Sequence, residues 1–242
     1  TVKLMNWLCS QRVEQKGLLD VRIASEIELH MKLPQPEGFW SRDSGWLGPG
    51  DALWVRVSLD RTGLSHSFRF LPRDVVLSLS SLTRMQDLRE SLVTKTIELS
   101  PSTIGAYDSQ YCAVSHYWNS LGQPDPDGAQ LFALKQHLVQ NPTIEFVWLD
   151  FCCLPQRSNR TKKRNKGEEK EFTDGLNHIH LLFLNVGVLI LYDLHFVGRF
   201  WPLWEAWLAM HTPTTEGLQL SDSGLQQRWT IVDLQGDGKT QG

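Results

Sequence analysis

Residues 143–151 read TIEFVWLDF, a nearly continuous apolar run that follows Asn141 and Pro142. Such a run predicts a strand that is covered on both faces, as in parallel sheets. The preceding residues 129–140 place Leu131, Leu134 and Leu138 at helical spacing, and the Asn-Pro pair ends that helix. The same alternation recurs along the chain, with strands predicted at 111–118 (YCAVSHYW), 186–193 (VGVLILYD) and 228–234 (RWTIVDL), and helices predicted from about 173 and over 200–210. Alternating strands and helices predict an α/β fold with a parallel sheet and helices on both faces.

The first hundred residues have a different character. Short alternating runs at 53–59 (LWVRVSL) and 67–71 (SFRFL) lie between turn clusters, and a short helix is predicted over 81–92. We therefore expect a small strand-rich region of unknown role at residues 1–100 and an α/β domain at residues 101–242. Ser100, Pro101 and Ser102 are the predicted joint between them.

Charge and cysteine usage narrow the classes of function. The 242 residues carry a net charge of -3, which provides no global positive field for nucleic acid or anionic lipid. The longest apolar run, residues 181–191, is about half of the roughly 20 residues that cross a bilayer. Four irregularly spaced cysteines without a C-x-x-C pair predict no disulfide framework and no metal site, and so a reducing, cytoplasmic setting. Nucleic acid and membrane are therefore not expected partners.

Polar residues follow three of the predicted strands. In parallel α/β sheets, ligands bind at the carboxyl ends of the strands. We therefore expect one crevice that is lined from three strand ends: Ser115, His116, Tyr117 and Trp118 at the first; Asp150, Cys152, Cys153 and Gln156 at the second; and Asp193, His195, Arg199, Trp201 and Glu205 beyond the third.

These strand ends also carry a resemblance to a known family. Residues 148–156, WLDFCCLPQ, resemble the signature of heterokaryon-incompatibility (HET) domains, in which a tryptophan, an aspartate, a cysteine and a glutamine recur at fixed spacing. Three further blocks resemble the same family: AVSHYWNS upstream, the acidic run Glu168 to Glu171, and RFWPLWEAWLA downstream with its Arg-x-Trp-x-x-x-Glu pattern. The resemblance extends over about residues 110 to 210. The matching positions are Trp148, Asp150, Cys153 and Gln156; Ala113, Ser115, Tyr117 and Trp118; and Arg199, Trp201 and Glu205.

HET domains are similar to Toll/interleukin-1 receptor (TIR) domains, so the resemblance implies a flavodoxin-like sheet and an intracellular role in defence or cell-death signalling. In catalytic TIR domains, the glutamate of a Trp-x-x-x-Glu helix is needed to cleave the nicotinamide–ribose bond of NAD. The resemblance therefore implies that Glu205 is catalytic and that NAD is a substrate rather than a cofactor. It further implies a cleft lined by Ser115, Trp118, Asp150, Arg199 and Trp201. A carboxylate suits this reaction because it stabilises an oxocarbenium-like transition state.

Two other functions stay open at this point. One is a non-enzymatic module that self-associates through residues 157–170, RSNRTKKRNKGEEK. This segment contains seven basic residues and two acidic ones. Neutralising Lys162, Lys163 and Arg164 is expected to weaken such association. The other is a cysteine hydrolase that uses Cys152 or Cys153 with His116.

Each candidate residue also has a purely structural interpretation. Glu205 could face solvent on an amphipathic helix, and Asp150 could cap a loop or pair with Arg199. The tryptophans at 201, 204 and 207 could simply pack in the core.

Overall fold

The computed structural model describes residues 26–32, 39–41, 45–47, 52–58, 65–100, 102–120, 122–157, 163–196, 199–214, 217–221 and 227–234. Two small antiparallel sheets come first. β1 (Glu26–Lys32) pairs with β4 (Ala52–Ser58), and β2 (Phe39–Ser41) pairs with β3 (Gly45–Leu47). Residues 53–58 of the predicted run therefore belong to one strand of the first of these sheets, and residue 59 lies outside the described residues.

A six-stranded sheet forms the centre of the fold. Its strands are β5 (Ser65–Pro72), β6 (Val93–Glu98), β7 (Tyr107–Ser115), β8 (Phe146–Trp148), β9 (Val186–Tyr192) and β12 (Trp229–Asp233), in the order β12-β9-β7-β8-β5-β6. The four strands from β12 to β8 are parallel, whereas β5 and β6 are antiparallel to their neighbours. The remaining strands, β10 (His211–Thr214) and β11 (Gly217–Leu220), form a separate antiparallel pair. The mixed α/β class and the mostly parallel sheet are as the sequence predicts.

The sheet continues across the boundary predicted near residue 100. Leu71 of β5 lies opposite Val147 of β8, and β6 pairs with β5 along most of its length. Phe70, Leu71 and Ile97 belong to the same buried cluster as the core of the parallel strands. β5 and β6 are therefore part of this sheet, and the change in sequence character near residue 100 marks a turn, where the amide of Thr103 donates to the carbonyl of Ser100.

Six helices are described. They are α1 (Arg73–Ser78), α2 (Met85–Leu88), α3 (Ala129–Gln140), α4 (Asp150–Cys153), α5 (Lys166–Asn185) and α6 (Phe200–Ala209). The helix predicted over 81–92 is shorter, because α2 ends in a 3-10 turn, Arg89–Ser91. α5 starts seven residues before Thr173, where a helix was expected, because Asn165 and Glu168 form a capping box with reciprocal bonds of 2.9 and 3.0 Å. Within the described ranges, none of these helices has the length and apolar character needed to cross a bilayer.

Helices cover both faces of the parallel strands. Four consecutive residues of β7, Cys112 to Ser115, are buried although their side chains alternate between faces. His116, just after β7, reaches α3, whereas Ser115 reaches α6. The sheet is thus enclosed from two sides, which explains why its strands are apolar throughout.

The order of the parallel strands indicates where on the sheet a ligand is expected to bind. β7 comes first along the chain, β8 lies on one side of it, and β9 and β12 lie on the other, which is the order 2-1-3-4. Such sheets bind ligands outside the carboxyl ends of the strands where the order reverses, here between β7 and β9. Ser115 is the last residue of β7, so it lies at this position.

Candidate functional site

Ser115 and Glu205 form a buried pair at the carboxyl end of β7. The Ser115 hydroxyl donates to Glu205 Oε2 at 2.7 Å, and it also lies 3.4 Å from the carbonyl oxygen of Pro202. Both contacts come from α6, whose second turn places Glu205 against the strand end. Ser115 is fully buried and Glu205 is 8% exposed, so Glu205 does not face bulk solvent.

Burial controls the charge of Glu205. Loss of solvent raises its pKa well above the ordinary value, the nearby Asp150 charge raises it further, and the hydrogen bond from Ser115 lowers it in part. A raised pKa favours the neutral acid. The site therefore combines a carboxyl whose neutral form is favoured by burial with a second carboxyl near enough to influence it, a pattern common at functional sites.

Asp150 connects the ends of β7 and β8. Its Oδ1 lies 2.9 Å from Nε2 of His116, and the indole N–H of Trp118 donates to Oδ2 at 3.1 Å. The amide of Phe151 also donates to Oδ1, at 2.6 Å. The side chains that contact the Asp150 carboxyl, those of His116 and Trp118, thus lie in the segment after β7, and the expected pairing with Arg199 is not the one that the structure shows.

Two glutamines form further hydrogen bonds with His116 and Asp150. Gln130, in the first turn of α3, accepts at 2.6 Å from Nδ1 of His116. Gln156, the last residue of the block at 148–156, donates to the carbonyl oxygens of Asp150 and Leu154 at 2.9 Å each. It also exchanges hydrogen bonds with Gln86, which fixes the loop after α4 against α2.

Arg199 and Trp201 lie at the outer side of the site. The Arg199 guanidinium donates to the Tyr117 hydroxyl at 3.3 Å and lies 5.1 Å from the centre of that ring. Tyr117 also stacks with His195, which follows the third strand end. Trp201 is 54% exposed, in contrast to the buried Trp204 and Trp207 on the same helix.

The contacts above join all three predicted strand ends. Ser115 links the first to Glu205, and His116 and Trp118 link the first to Asp150. The candidates His195, Arg199 and Trp201 are exposed at the surface. Asp193 has a local role, since its Oδ1 accepts from the amides of His195 and Phe196 at 2.8 Å each.

The thiols near the site are unsuited to nucleophilic chemistry. Cys152 and Cys153 are buried, and burial raises the pKa of Cys153 to about 12 and that of Cys152 well above its ordinary value. Both ring nitrogens of His116 are already engaged by Gln130 and Asp150. The cysteine-hydrolase alternative therefore lacks an activated thiolate.

The basic segment after α4 is partly built into the fold. Residues 158–162, with Lys162, lie outside the described residues. Arg164 lies over the Phe172 ring at 3.4 Å, donates to the carbonyl of Pro155 at 2.6 Å and pairs with Glu169. Lys163, Lys166 and Lys170 are exposed, and the last two belong to α5 rather than to a loop.

Gln130 is the site residue that the sequence reasoning missed. It is 2% exposed and lies one helical turn before Leu134, on the buried stripe of α3. A polar residue at a core-facing position of an amphipathic helix is the signal that could have identified it, because buried polar groups require partners.

Comparison with protein-family models, with curated proteins and with solved structures finds no match for this chain. Among the described residues, no group of three or more histidine, cysteine or acidic side chains is arranged to hold a metal ion. The interpretation of the site therefore depends on its own geometry.

Proposed function

We propose that this chain is a HET/TIR-like signalling domain with a flavodoxin-like sheet, and that it hydrolyses NAD at the nicotinamide–ribose bond with Glu205 as the catalytic carboxylate. The observation that carries the proposal is the Ser115–Glu205 hydrogen bond of 2.7 Å at the reversal point of the strand order. The resemblance also implies a cytoplasmic location and action in defence or cell death.

The chemistry agrees with one buried carboxyl. Positively charged nicotinamide is a good leaving group, so the reaction needs charge stabilisation at the ribose more than it needs an acid. A nearby positive charge favours the ionised form of a carboxyl. A cationic nicotinamide ring beside Glu205 would therefore oppose the effect of burial and generate the carboxylate when substrate binds.

Access to Glu205 is restricted in this arrangement. Ser115 is fully buried and Glu205 is nearly so, so the residues that cover the pair must move before NAD can reach it. Trp118 and Asp150 are next to this position, and their polar atoms are candidates for contacts to the ribose hydroxyls. Arg199, which pairs with Tyr117 at the outer side, is the candidate for a contact to a phosphate.

The test is nicotinamide release from NAD by a concentrated or artificially oligomerised sample. Glu205→Gln keeps the size of the side chain and an acceptor for Ser115, and it should lose release by at least about a hundredfold. Glu90→Gln is the matched control, since Glu90 is exposed on the 3-10 turn after α2. Equal release from wild type and from Glu205→Gln or Glu205→Ala would contradict the assignment.

A second candidate is a non-enzymatic module that self-associates. The exposed Lys163, Lys166 and Lys170 favour it, because lysines at the start of α5 can pair with acidic side chains of a second copy. Under this function, changing the three lysines to glutamate weakens association in analytical ultracentrifugation, and no sample releases nicotinamide. Association that is unchanged in the triple variant would exclude this surface.

A further inference from the structure

The hydrogen bonds around His116 determine which of its ring nitrogens carry protons. Gln130 Nε2 lies 2.8 Å from the carbonyl oxygen of Tyr117 and 3.2 Å from that of Pro124. Backbone carbonyls only accept, so the amide nitrogen of Gln130 must face them and its oxygen must face His116. The Gln130 oxygen, 2.6 Å from Nδ1, can only accept, and therefore Nδ1 carries a proton.

The second ring nitrogen faces Asp150. Nε2 lies 2.9 Å from Oδ1, and the two carboxyl oxygens also receive the N–H groups of Phe151 and Trp118. Converging donors of this kind are the surroundings of an ionised carboxylate. A carboxylate cannot donate, so Nε2 must carry a proton as well.

We infer that His116 is an imidazolium at neutral pH, held between Gln130 and the Asp150 carboxylate, and that it is a positioning residue for Ser115 and Trp118. His116 itself is buried, with a side chain that is 2% exposed. The pair connects the end of β7 to the start of α4, so it fixes the strand end on which Ser115 meets Glu205. The positioning of Ser115 for catalysis rests on the proposed function, whereas the charge state of the ring does not.

The charges around the ring support this assignment. Burial alone lowers the pKa of His116, but the Asp150 charge, the hydrogen bonds that His116 donates to Asp150 and Gln130, and the more distant Asp125 more than offset it, so the pKa is raised. Asp125 approaches from the loop before α3, where it accepts from the amides of Gln130 and Leu131. From α6, Glu205 interacts with Asp150, and burial raises the pKa of Glu205, which favours its neutral form.

Ring ¹⁵N NMR of histidine-labelled wild-type protein tests the charge directly. At a pH about one unit above the ordinary histidine value of about 6.5, His116 should still show two protonated nitrogens. His137 and His180 are internal controls, because burial lowers the pKa of both, that of His180 to about 4. They should each show one protonated nitrogen. A His116 ring with one proton, or one that titrates at or below about 6.5, would overturn the inference.

Two variants test the role of Asp150. In Asp150→Asn the opposing charge is lost, so His116 should titrate below about 6.5. In Trp118→Phe one donor to Asp150 is lost but every charge stays, so both ring protons should remain. Identical titration of His116 in the two variants would contradict the ion pair. If Asp150→Asn does not fold, the wild-type spectrum and Trp118→Phe still decide the charge state.

Nicotinamide release separates this inference from the proposed function. A doubly protonated His116 in a protein that releases no nicotinamide would contradict the proposed function alone. A singly protonated His116 in an active protein would contradict this inference alone. If both hold, wild-type release should fall as pH rises through the His116 midpoint, and His116→Gln should lack that fall. A wild type and a His116→Gln variant with the same pH profile would overturn the positioning role.

Discussion

The hydroxyl of Ser115 donates to Glu205 Oε2 at 2.7 Å, across ninety residues of sequence. This bond joins the last residue of a central strand to the middle of the helix that covers it. It also places a polar pair where the surrounding strands and helices are almost entirely apolar. Substitution of either residue of this buried pair should change both the stability of the protein and its activity.

Substitution of Glu205 by glutamine should stabilise the protein at neutral pH. The pKa of Glu205 is raised in the folded state, so above about pH 4.5 the unfolded chain releases a proton that the folded chain keeps. Wild-type stability then falls by about 1.4 kcal/mol per pH unit until the folded pKa is reached, and the neutral glutamine escapes this loss.

Urea unfolding at several pH values measures the effect. The free energy of unfolding of Glu205→Gln minus that of wild type should grow as pH rises from about 4.5. The same difference for the exposed Glu90→Gln should stay small and flat. A Glu205→Gln variant that is less stable than wild type at neutral pH would show that the carboxyl is ionised in the folded protein.

Ser115→Ala should destabilise the protein by about 1–2 kcal/mol, because it removes a buried donor and leaves the Glu205 oxygen without that partner. It should also raise the pKa of Glu205 further, since the lost hydrogen bond lowers it. Ser78→Ala is the control, because the Ser78 hydroxyl bonds the Val75 carbonyl at the surface and its loss should cost less than about 0.5 kcal/mol. Thermal and urea unfolding should rank the two variants in this order.

Gly187→Ala should be among the most destabilising single changes in the sheet. A Cβ at this position would lie 2.7 Å from the carbonyl oxygen of Asp108 and 2.9 Å from that of Tyr111, where β7 bulges between Tyr107 and Cys112. Backbone atoms cannot rotate away, so we expect a loss of about 3 kcal/mol.

Gly175→Ala provides the comparison. Its Cβ would meet Leu154 Cδ2 at 2.5 Å, which is the end of a side chain that can change rotamer. The loss of unfolding free energy should therefore be smaller than for Gly187→Ala. Equal losses would mean that the backbone at the bulge adjusts as easily as a leucine side chain.

Arg164 should contribute to stability rather than to association. Its stacking on Phe172 and its bond to Pro155 predict a loss of about 1–2 kcal/mol for Arg164→Ala. The exposed Lys163→Ala should change stability by less than about 0.5 kcal/mol. Unfolding curves and sedimentation, measured on both variants, separate the two effects. An Arg164→Ala variant of full stability that associates more weakly would contradict this assignment.

Substitution of Trp207 by alanine should mainly lower the stability of the protein, whereas substitution of Trp201 should mainly affect its activity. Trp207 is 1% exposed, so Trp207→Ala should cost about 3–5 kcal/mol. Trp201 is 54% exposed, so Trp201→Ala should cost less than about 1 kcal/mol. Under the proposed function, Trp201→Ala raises KM for NAD without loss of fold. A Trp201→Ala variant with wild-type KM would remove this residue from the site.

The sequence was sufficient to predict the parallel strands, because burial on both faces leaves a strong apolar signal. Ser115 and Glu205 could be expected at one end of the sheet for the same reason. The start of α5 could also have been predicted, since Asn165 and Glu168 have the spacing of a capping box. These features depend on neighbours in sequence, where patterns are informative.

Partner choice over long distances could not be predicted in this way. Asp150 bonds His116 and Trp118 instead of Arg199. The relative positions of three separate segments decide which cation or donor lies within hydrogen-bond distance of its carboxyl group. The pairing of Leu71 with Val147 likewise has no local signature. Each depends on the assembled sheet.

The position of β5 in the sheet also affects folding during translation. Pro72 leaves the ribosome well before Phe146, the residue opposite it in β8. At a synthesis rate of about 5–20 residues per second, the edge of β5 that will receive β8 waits roughly 4–15 seconds for its partner. Until then β5 has only β6 as a neighbour, and its other edge is open to pairing with other chains. During this interval of translation the open edge of β5 is therefore exposed to misassembly.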